Sequence, residues 1–445
     1  MPEATFQQLL TLARQHGASD AEVYATGSRS QLVTFEGNRL KQLETISAEG
    51  VGLRLWRNGR CGLAVAYGAF DPKTLVDKAI ALSQLGEAAP VLLAETSPET
   101  WKLPVLQPSV ESMVEQGEAT IASLRDRYPD TICSGEWSLD FDTTRLLNTR
   151  GVDCHFSDSS LSASVGVEWV RGDDFLEVGI DETVSPRPSV LNVSLHPDRW
   201  TEAIALRLDW ATRTLTPPSG TYPVIFTPNA ATVLLETAIS ASNGRHVLQK
   251  TSPWTDKLGQ QVVSPLLTAI QKPPFGPFGT PFDDEGIPCQ EAIAIDRGHL
   301  KSISCDLRTA RALDMPATGN GYRSGLGSYP HPGLINLVLP EATTRFEELL
   351  RTCDRGLVVD QILGSGGGLA GDFSFNVDLG YWFEAGEIVG RVKDTLVAGN
   401  AYAALNDIAG FGCAPLALPE TGGREWAGSI FTPAIAISSL SITGQ

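Results

Sequence analysis

Three consecutive carboxylates are the first residues in this sequence that could do chemistry. Asp283, Asp284 and Glu285 follow Phe282 and precede Gly286. Clustered carboxylates can bind a hard cation or share a proton. Because the cluster lacks the alternating ligand spacing of an EF-hand loop, we interpret it as an exposed acidic turn ended by the glycine. A metal-dependent hydrolytic site built from the three carboxylates stays open as the alternative.

A glycine-rich segment, Gly364-Ser365-Gly366-Gly367-Gly368, is the second candidate. Glycine backbones bring N–H groups close to a ligand and can form an anion-binding nest. The segment lacks the Gly-Lys-Ser/Thr ending of a phosphate-binding loop and lies between two predicted strands. These features favour a flexible hairpin loop. Such a loop beside a sheet edge could close over an extended peptide.

Histidine and cysteine are too dispersed to indicate a metal centre. His246, His299 and His331 each stand without a neighbouring ligand, so structural or surface roles are expected. No serine lies in a Gly-x-Ser-x-Gly turn, so Ser-His-Asp catalysis has no support. The seven cysteines contain no Cys-x-x-Cys pair, which predicts reduced thiols in a reducing compartment. They are Cys61, Cys133, Cys154, Cys289, Cys305, Cys353 and Cys413.

The charge of the chain excludes two classes of partner. Lys plus Arg total 34 against 52 Asp plus Glu, a formal charge of −18 without any basic run. Such a surface repels phosphate backbones, so nucleic acid and anionic membranes are not expected as partners. No apolar run reaches the roughly 18 residues of a membrane helix. The polar, acidic start Met1-Pro2-Glu3 does not resemble a signal peptide, and a cytoplasmic location is expected.

The elements that must position these residues divide the chain in two. The Pro/Gly-rich stretch from Leu215 to Gly220 is the best boundary, and it separates residues 1–217 from residues 218–445. Helical spacing at Phe6, Leu9, Leu10 and Ala13 predicts a first helix, and Asp71-Pro72 is expected to cap a second one. Together with an Asn58-Gly59 hairpin turn and several short strands up to about Val193, these helices predict an α/β domain with helices on a mixed sheet. Beyond it, short strands rich in β-branched residues predict a mostly-β, barrel-like domain. The fold class is therefore α+β.

Several segments jointly resemble one family, TldD/PmbA. The resemblance spans nearly the whole chain in order and spacing. It rests on a Gly-x-Gly-x-Arg hairpin, a Ser-Gly-x-Tyr-Pro-Val strand entry, an Asp-Asp-Glu-Gly segment, a Thr-Gly-Asn-Gly-x-Arg segment, a Gly-Asp-Phe-Ser segment and a Gly-Asn ending. In the same order, the six segments are Gly50–Arg54, Ser219–Val224, Pro281–Gly286, Thr318–Arg323, Gly371–Ser374 and Val397–Asn400.

The resemblance implies a peptidase system with two kinds of subunit. The TldD type carries His-Glu-x-x-x-His on a helix, where two imidazoles hold zinc and the glutamate acts as general base. At the matching positions this chain has Glu236, Thr237 and Ala241. It therefore resembles the TldE/PmbA branch, which lacks the motif. No catalytic residue, metal or cofactor is expected in this chain, and zinc is expected in a TldD-type partner.

The resemblance thus implies a non-catalytic subunit that helps to admit unfolded peptides. Its expected substrate contacts are Gly366, Gly367, Gly368, Asp372 and Ser374. Two other functions stay open: a stand-alone peptide-binding homodimer, and an independent hydrolase using the acidic cluster. Pairing with a TldD-type subunit is preferred over a homodimer.

The end of the sequence adds one structural expectation. The apolar run from Pro433 to Ile437 would be an aggregation hazard as an exposed edge strand. We therefore expect it to be covered, within the C-terminal sheet or by a partner.

Overall fold

The first half of the chain forms a sheet covered by four helices. The computed structural model describes residues 3–172, 174–364, 366–413 and 429–444, and every structural statement below concerns these residues. The helices are α1 (Glu3–Gln15), α2 (Pro72–Leu85), α3 (Val110–Arg127) and α4 (Pro197–Trp210). The strands are β1 (Asp20–Glu36), β2 (Arg39–Arg57), β3 (Arg60–Tyr67), β4 (Thr131–Asn148), β5 (Asp153–Arg171) and β6 (Asp174–Val184).

Several of these elements form at the positions that local sequence patterns predicted. The helical spacing of Phe6, Leu9, Leu10 and Ala13 becomes the buried face of α1. At α2, the Asp71 carboxylate accepts the N–H of Thr74 and Pro72 takes the first turn. Asn58 and Gly59 adopt the positive φ angles, 52° and 74°, of the predicted hairpin turn between β2 and β3.

The N-terminal sheet is antiparallel throughout its described pairs. Its order is β3-β2-β1-β4-β5-β6. The mixed sheet predicted from sequence is therefore wrong in this detail. The several short strands predicted up to about Val193 are in fact three long ones, β4 with 18 residues, β5 with 19 and β6 with 11. Strands joined in succession by short turns pair antiparallel, and no helix separates β4 from β5 or β5 from β6.

The second half of the chain is rich in short strands. Its helices are α5 (Pro228–Ala241), α6 (Gly244–Leu248), α7 (Leu307–Leu313), α8 (Phe346–Cys353), the 3₁₀ turn η1 (Gly368–Ala370) and α9 (Ala401–Asn406). Its first strands are β7 (Thr214–Leu215), β8 (Gly220–Phe226), β9 (Ala269–Gln271), β10 (Ala292–Asp296), β11 (His299–Leu300), β12 (Gly321–Tyr322), β13 (His331–Pro332) and β14 (Leu337–Val338). The later strands are β15 (Arg355–Leu363), β16 (Asp372–Glu384), β17 (Glu387–Val392), β18 (Thr395–Asn400), β19 (Ile408–Gly412), β20 (Ile430–Phe431) and β21 (Ala434–Gly444).

Five of these strands close into a barrel. The described pairs run β15-β8-β21-β18-β16, and β16 pairs again with β15. Closure removes free edges from these strands. The α+β class with a barrel-like C-terminal part is confirmed. Helices α5 and α9 pack with the barrel strands in one hydrophobic core.

Strand β21 lies inside this sheet rather than at its edge. It pairs with β8, β18 and β19. Ala434, Ile435, Ala436 and Ile437 have no solvent exposure. The predicted cover of this apolar run is thus supplied within the chain. None of the described helices combines the length and apolarity needed to cross a bilayer.

Candidate functional site

Helix α5 carries the three positions at which the family resemblance places a metal motif. Pro228 opens the helix and Thr227 precedes it as N-cap residue. Thr237 and Ala241 lie one turn apart and are 2% and 0% exposed, whereas Glu236 is half-buried. Its buried face, which includes Leu234 and Leu235, packs into the C-terminal core.

The donor set on α5 does not fit zinc. Structural and catalytic zinc sites need at least three protein ligands from Cys, His, Asp or Glu. Ala241 has no donor atom, and Thr237 supplies only a neutral hydroxyl. Over the described ranges, no group of three or more such side chains has a metal-binding arrangement. Glu236 alone cannot hold the ion.

The glycine loop lies over α5. A side chain at Gly366 would come within 3.2 Å of Val233, one turn before Thr237 on the helix. A side chain at Gly367 would come within 2.2 Å of the Asp372 carbonyl oxygen. The start of β16 therefore excludes a side chain at Gly367, whereas one at Gly366 would need Val233 to move by a few tenths of an ångström. Ser365 lies outside the described residues.

The other predicted substrate contacts differ in their surroundings. The Asp372 carboxylate accepts a hydrogen bond from the Asn400 side chain at 2.9 Å, and the Tyr402 hydroxyl donates to the Leu369 carbonyl at 2.8 Å. These bonds close the loop onto α9. Ser374 is exposed on β16, and Gly368 is exposed with a φ of 54°. The structure brings the glycines, Asp372 and α5 together, and peptide contact at these residues stays a prediction.

The acidic cluster is buried at the junction between the two halves of the chain. Asp283 is 2% exposed and Glu285 is 4% exposed. The exposed acidic turn predicted from sequence is therefore wrong. Its physical reason is a set of backbone donors: Asp283 accepts the N–H groups of Glu285, Ile287 and Gly321 at 2.8–3.0 Å. These bonds offset the cost of burying the carboxylate.

The other two carboxylates of the cluster are bonded in the same way. Glu285 accepts the Leu307 N–H at 2.7 Å, at the start of α7. Asp284 accepts the Tyr24 hydroxyl at 2.7 Å and the Arg323 N–H at 2.7 Å. Tyr24 belongs to β1, so this contact joins the N-terminal sheet to the C-terminal half.

A buried glutamate forms the centre of the junction. Glu22 on β1 accepts from Arg54 on β2 at 3.0 Å and from Arg323 at 2.5 Å. The side chains of Glu22 and Arg323 are each 1% exposed. The Arg323 guanidinium also lies 4.8 Å from the centre of the Tyr24 ring. The Glu22 carboxylate thus accepts hydrogen bonds from two arginines, Arg54 in the N-terminal half of the chain and Arg323 in the C-terminal half.

Burial also controls protonation in the cluster. It raises the pKa of Asp283 to about 7, although backbone donors favour the carboxylate. Burial, followed by the charge of Asp283, raises the pKa of Glu285 well above its ordinary value. Carboxyls that retain protons near neutral pH, with oxygens already bonded to the protein, are poor ligands for a hard cation. The geometry favours a structural junction over a metal-dependent hydrolytic centre.

Sequence reasoning missed the roles of Glu22, Arg54 and Arg323. Arg54 and Arg323 close two of the segments that carry the family resemblance, and Asp284 lies in a third. Their presence in the family-like segments was a sign that these residues matter. That they contact one another could not be predicted, because they are far apart in the sequence. Glu22 had no sequence signal at all.

A cleft of about 480 Å³ opens beside this junction. Its floor is the N-terminal sheet, where Ala48, Ser28, Asp142 and Asp158 are cross-strand partners in one row over β2, β1, β4 and β5. Its wall includes residues 277–280. Arg187 fixes this wall, because its guanidinium donates to the Pro277 carbonyl and, at 2.9 and 3.0 Å, to both oxygens of Asp158.

Comparison with known proteins identifies the family of this arrangement. Residues 219–444 match the family model described as the PmbA/TldA metallopeptidase C-terminal domain, and residues 21–83 match metallopeptidase domain 1. A protein of Methanothermobacter thermautotrophicus named metalloprotease is 26% identical over 424 residues, covering 88% of this chain and 87% of that protein. A metalloprotease of Archaeoglobus fulgidus is 32% identical, and that match covers 44% of this chain and 46% of that protein.

A solved structure shares the fold over its full length. The crystal structure of TldE from Thermococcus kodakarensis superposes with a TM-score of 0.86 and covers 99% of this chain and 100% of that one. The two sequences are 21% identical. At that identity the likeness establishes the architecture, while function must be argued from the site.

Proposed function

The chain belongs to the PmbA/TldD metallopeptidase family, and on that premise we propose that it is the non-catalytic, TldE-like subunit of a cytoplasmic zinc peptidase complex. A TldD-type subunit supplies the metal and hydrolyses the peptide bond. This chain pairs with that subunit and helps to form the path by which unfolded peptides enter.

The donor set of α5 is the observation that carries this proposal. The family fold presents a helix at the position of the motif, but Ala241 cannot ligate a metal and Thr237 is not a base near neutral pH. The buried acidic cluster offers no substitute, since its oxygens bond to backbone N–H groups and to Tyr24. Hydrolysis is therefore assigned to the partner.

Two further observations agree with the proposal. The glycine loop with Gly366 and Gly367 lies over α5, so it borders the helix that carries the metal in the catalytic subunit type. The seven cysteines all lie in the described part of the chain and are free thiols, as expected in a reducing cytoplasm.

Reconstitution tests the subunit assignment. The pure chain, a TldD-type subunit from the same genome and their mixture are compared for cleavage of an unfolded peptide and for sedimentation. We expect no cleavage by this chain alone, and cleavage with a faster-sedimenting species in the mixture. Glu236→Gln should leave the activity of the mixture unchanged. A chain that stays monomeric beside the candidate partner would refute the model.

Metal analysis separates this proposal from an independent hydrolase. The pure chain should retain far less than one zinc per chain after dialysis against a weak chelator. A content near one that resists the chelator, or peptide cleavage by the chain alone that Asp283→Ala abolishes, would replace the subunit assignment with an enzymatic one.

A further inference from the structure

A short segment of the C-terminal half lies across the N-terminal sheet at one end of the cleft. It consists of residues 324–328, directly after Arg323 of the junction, and we call it the lid. Its central residue, Leu326, is 7% exposed, whereas the glycines on either side of it are exposed. Leu326 also lines the cleft, so its side chain closes the cleft at this end.

Two glycines of β2 form the seat of Leu326. A side chain at Gly50 would overlap the Leu326 Cδ1 atom, and one at Gly52 would come within 2.9 Å of the Leu326 carbonyl oxygen. The sheet therefore accommodates the lid because both positions lack a side chain. Around the seat, Leu326 belongs to a hydrophobic cluster with side chains from both halves of the chain, which include Tyr24, Leu146, Phe156 and Phe282.

Leu326 is the main attachment of the lid to the sheet. Of the backbone hydrogen bonds in the described residues, none joins the lid to the N-terminal half. The lid instead bonds within itself, from the Ser328 N–H to the Gly325 carbonyl at 3.0 Å and from the Ser324 hydroxyl to the Ser328 hydroxyl at 2.8 Å. A side chain at Gly325 would meet no atom within 4 Å, so the space around the lid is open. A single leucine side chain thus holds a self-contained turn in place.

The ends of the lid are anchored more firmly than its centre. Before the lid, Arg323 donates to the buried Glu22 carboxylate of the junction. After it, Tyr329 lies beside the Cys61 thiol on β3. Strands β12 and β13, which enclose the lid, pair with each other. A turn with fixed ends and one removable contact at its centre can lift as a flap while the sheet beneath it stays unchanged.

Lifting the lid would lengthen the cleft along the sheet. Gly50 already lines the cleft, and Gly52 is the next residue of β2 on the same face, about 7 Å further along. The partner of Gly52 on β1 is Tyr24, whose ring borders the added space. Because the seat is apolar, water does not fill it favourably, and an apolar group must replace the leucine.

The lid itself shows which chemical group fits the seat. Leu326 fills it with an aliphatic side chain. The carboxylates that line the cleft each have a partner within the chain, so recognition at this end depends on shape and apolar contact; they are Glu49, Asp142, Asp158 and Asp284. An unfolded peptide exposes the aliphatic side chains that a folded protein buries.

We propose that residues 324–328 are a lid that lifts when an unfolded peptide enters the cleft, and that an aliphatic side chain of the peptide then takes the seat of Leu326 on Gly50 and Gly52. The inference rests on the proposed function, because the peptide is the substrate that this subunit admits. Without peptide, the lid shortens the cleft and separates it from the buried junction. Peptide and leucine compete for one seat, so the peptide shifts the lid towards its lifted state.

Gly50→Ala tests whether the lid can lift. The added methyl group takes the place of the Leu326 Cδ1 atom and should displace the leucine while β2 keeps its pairing. Limited digestion with chymotrypsin, which cleaves after leucine, measures the exposure of the bond between residues 326 and 327. We expect this bond to be cut at least about tenfold faster in Gly50→Ala than in the unmodified chain. Cleavage at the unmodified rate would overturn the proposal.

Gly179→Ala is the matched control for this digestion. Gly179 belongs to the same sheet, and the only atom near a side chain there is the Gln361 amide nitrogen at 3.8 Å. Its lid should be cleaved at the rate of the unmodified chain. An equal acceleration in both variants would mean that the sheet is loosened in general, and would also overturn the proposal.

A small ligand tests the seat. The probe is N-acetyl-leucinamide, a leucine with capped ends, and its binding is followed by ligand-observed NMR. Leu326→Ala empties the seat and should bind the probe at least about tenfold more tightly than the unmodified chain. Leu339→Ala removes a buried leucine from the C-terminal core, away from the cleft, and should bind no better than the unmodified chain. Equal affinity of the two variants would make Leu326 an ordinary core residue and refute the proposed seat.

One measurement on the unmodified chain is independent of variant folding. At high concentration the probe should speed chymotryptic cleavage after residue 326, whereas N-acetylglycinamide should not. In Gly50→Ala the lid is already lifted, so the probe should not speed cleavage there, which corrects for any effect of the probe on the protease. Cleavage of the unmodified chain that does not respond to the probe would contradict the proposed competition.

The outcomes also separate this inference from the subunit assignment. If the lid lifts and the seat binds the probe, but the mixture with a TldD-type subunit does not cleave peptides, the lid stands and the proposed function fails. If the mixture cleaves peptides while the probe neither binds Leu326→Ala more tightly nor lifts the lid, the inference alone fails.

Discussion

Removal of the charge at Glu22 should destabilise the junction more than any surface substitution. In Glu22→Gln, two buried arginines, Arg54 and Arg323, lose the carboxylate that accepts their hydrogen bonds at 3.0 and 2.5 Å. Each charge-assisted bond contributes about 1.5–3 kcal/mol, and breaking a buried ion pair costs about 3–5 kcal/mol. We therefore expect a loss of about 3–5 kcal/mol in the free energy of unfolding.

The matched control is Glu36→Gln at the tip of the same strand. Glu36 pairs with Lys41, but the two side chains are 61% and 55% exposed, so its loss should cost under about 0.5 kcal/mol. Equilibrium unfolding in urea measures both variants. With a slope of about 3 kcal/mol per M, the midpoint should fall by about 1–1.7 M for Glu22→Gln and by under about 0.2 M for the control.

A double-mutant cycle checks that the loss arises from the contact across the junction. Glu22→Gln and Arg323→Met together should cost less than the sum of the single changes, with a coupling of at least about 1 kcal/mol. A midpoint for Glu22→Gln equal to that of the control would show that the carboxylate does not stabilise the two arginines, and would refute the junction as described.

Two other predictions follow from the same contacts. Burial raises the pKa of Asp283 in the folded chain from 3.8 to about 7. Between these two pH values the folded chain holds a proton on Asp283 that the unfolded chain has lost. The contribution of Asp283 to the free energy of unfolding therefore falls as pH rises through this window, by up to about 1.4 kcal/mol per pH unit. Asp283→Asn should remove that slope in urea unfolding from pH 4.5 to 7, and a pH-independent difference from the parent chain would contradict the assignment. Gly367→Ala, at a φ of −73° that alanine tolerates, should cost about 1–3 kcal/mol through its clash with the Asp372 carbonyl and lower the activity of the reconstituted mixture. Gly325→Ala, which meets no atom within 4 Å, is its control and should be near neutral in both measurements.

Local signals predicted individual elements well. The cap at Asp71, the hairpin at Asn58-Gly59 and the apolar stripe of α1 depend on residues within a few positions of one another, so the chain decides them without tertiary help. The lengths and pairings of the strands were harder to predict from the sequence. The antiparallel order of β4, β5 and β6 depends on which turns are short, and alternation was too weak in these strands to show their length.

The acidic cluster shows why the site could not be predicted completely. Asp283, Asp284 and Glu285 look like solvent-exposed residues in sequence, because three adjacent carboxylates usually repel one another and face water. Their burial depends on Tyr24, 260 positions from Asp284, and on Gly321, 38 positions from Asp283. Contacts over such separations have no periodic pattern in the sequence.

The sequence by itself determined what α5 cannot do, because the absence of a donor atom at Ala241 is a property of the residue type in any fold. It also determined that the apolar run at Pro433 had to be covered, since an open apolar edge would aggregate. Only the tertiary structure decided where the charged segments go. Glu22, Arg54 and Arg323 meet because folding excludes water from a junction, and within that junction each buried charge needs an opposite charge or a hydrogen-bond donor close by.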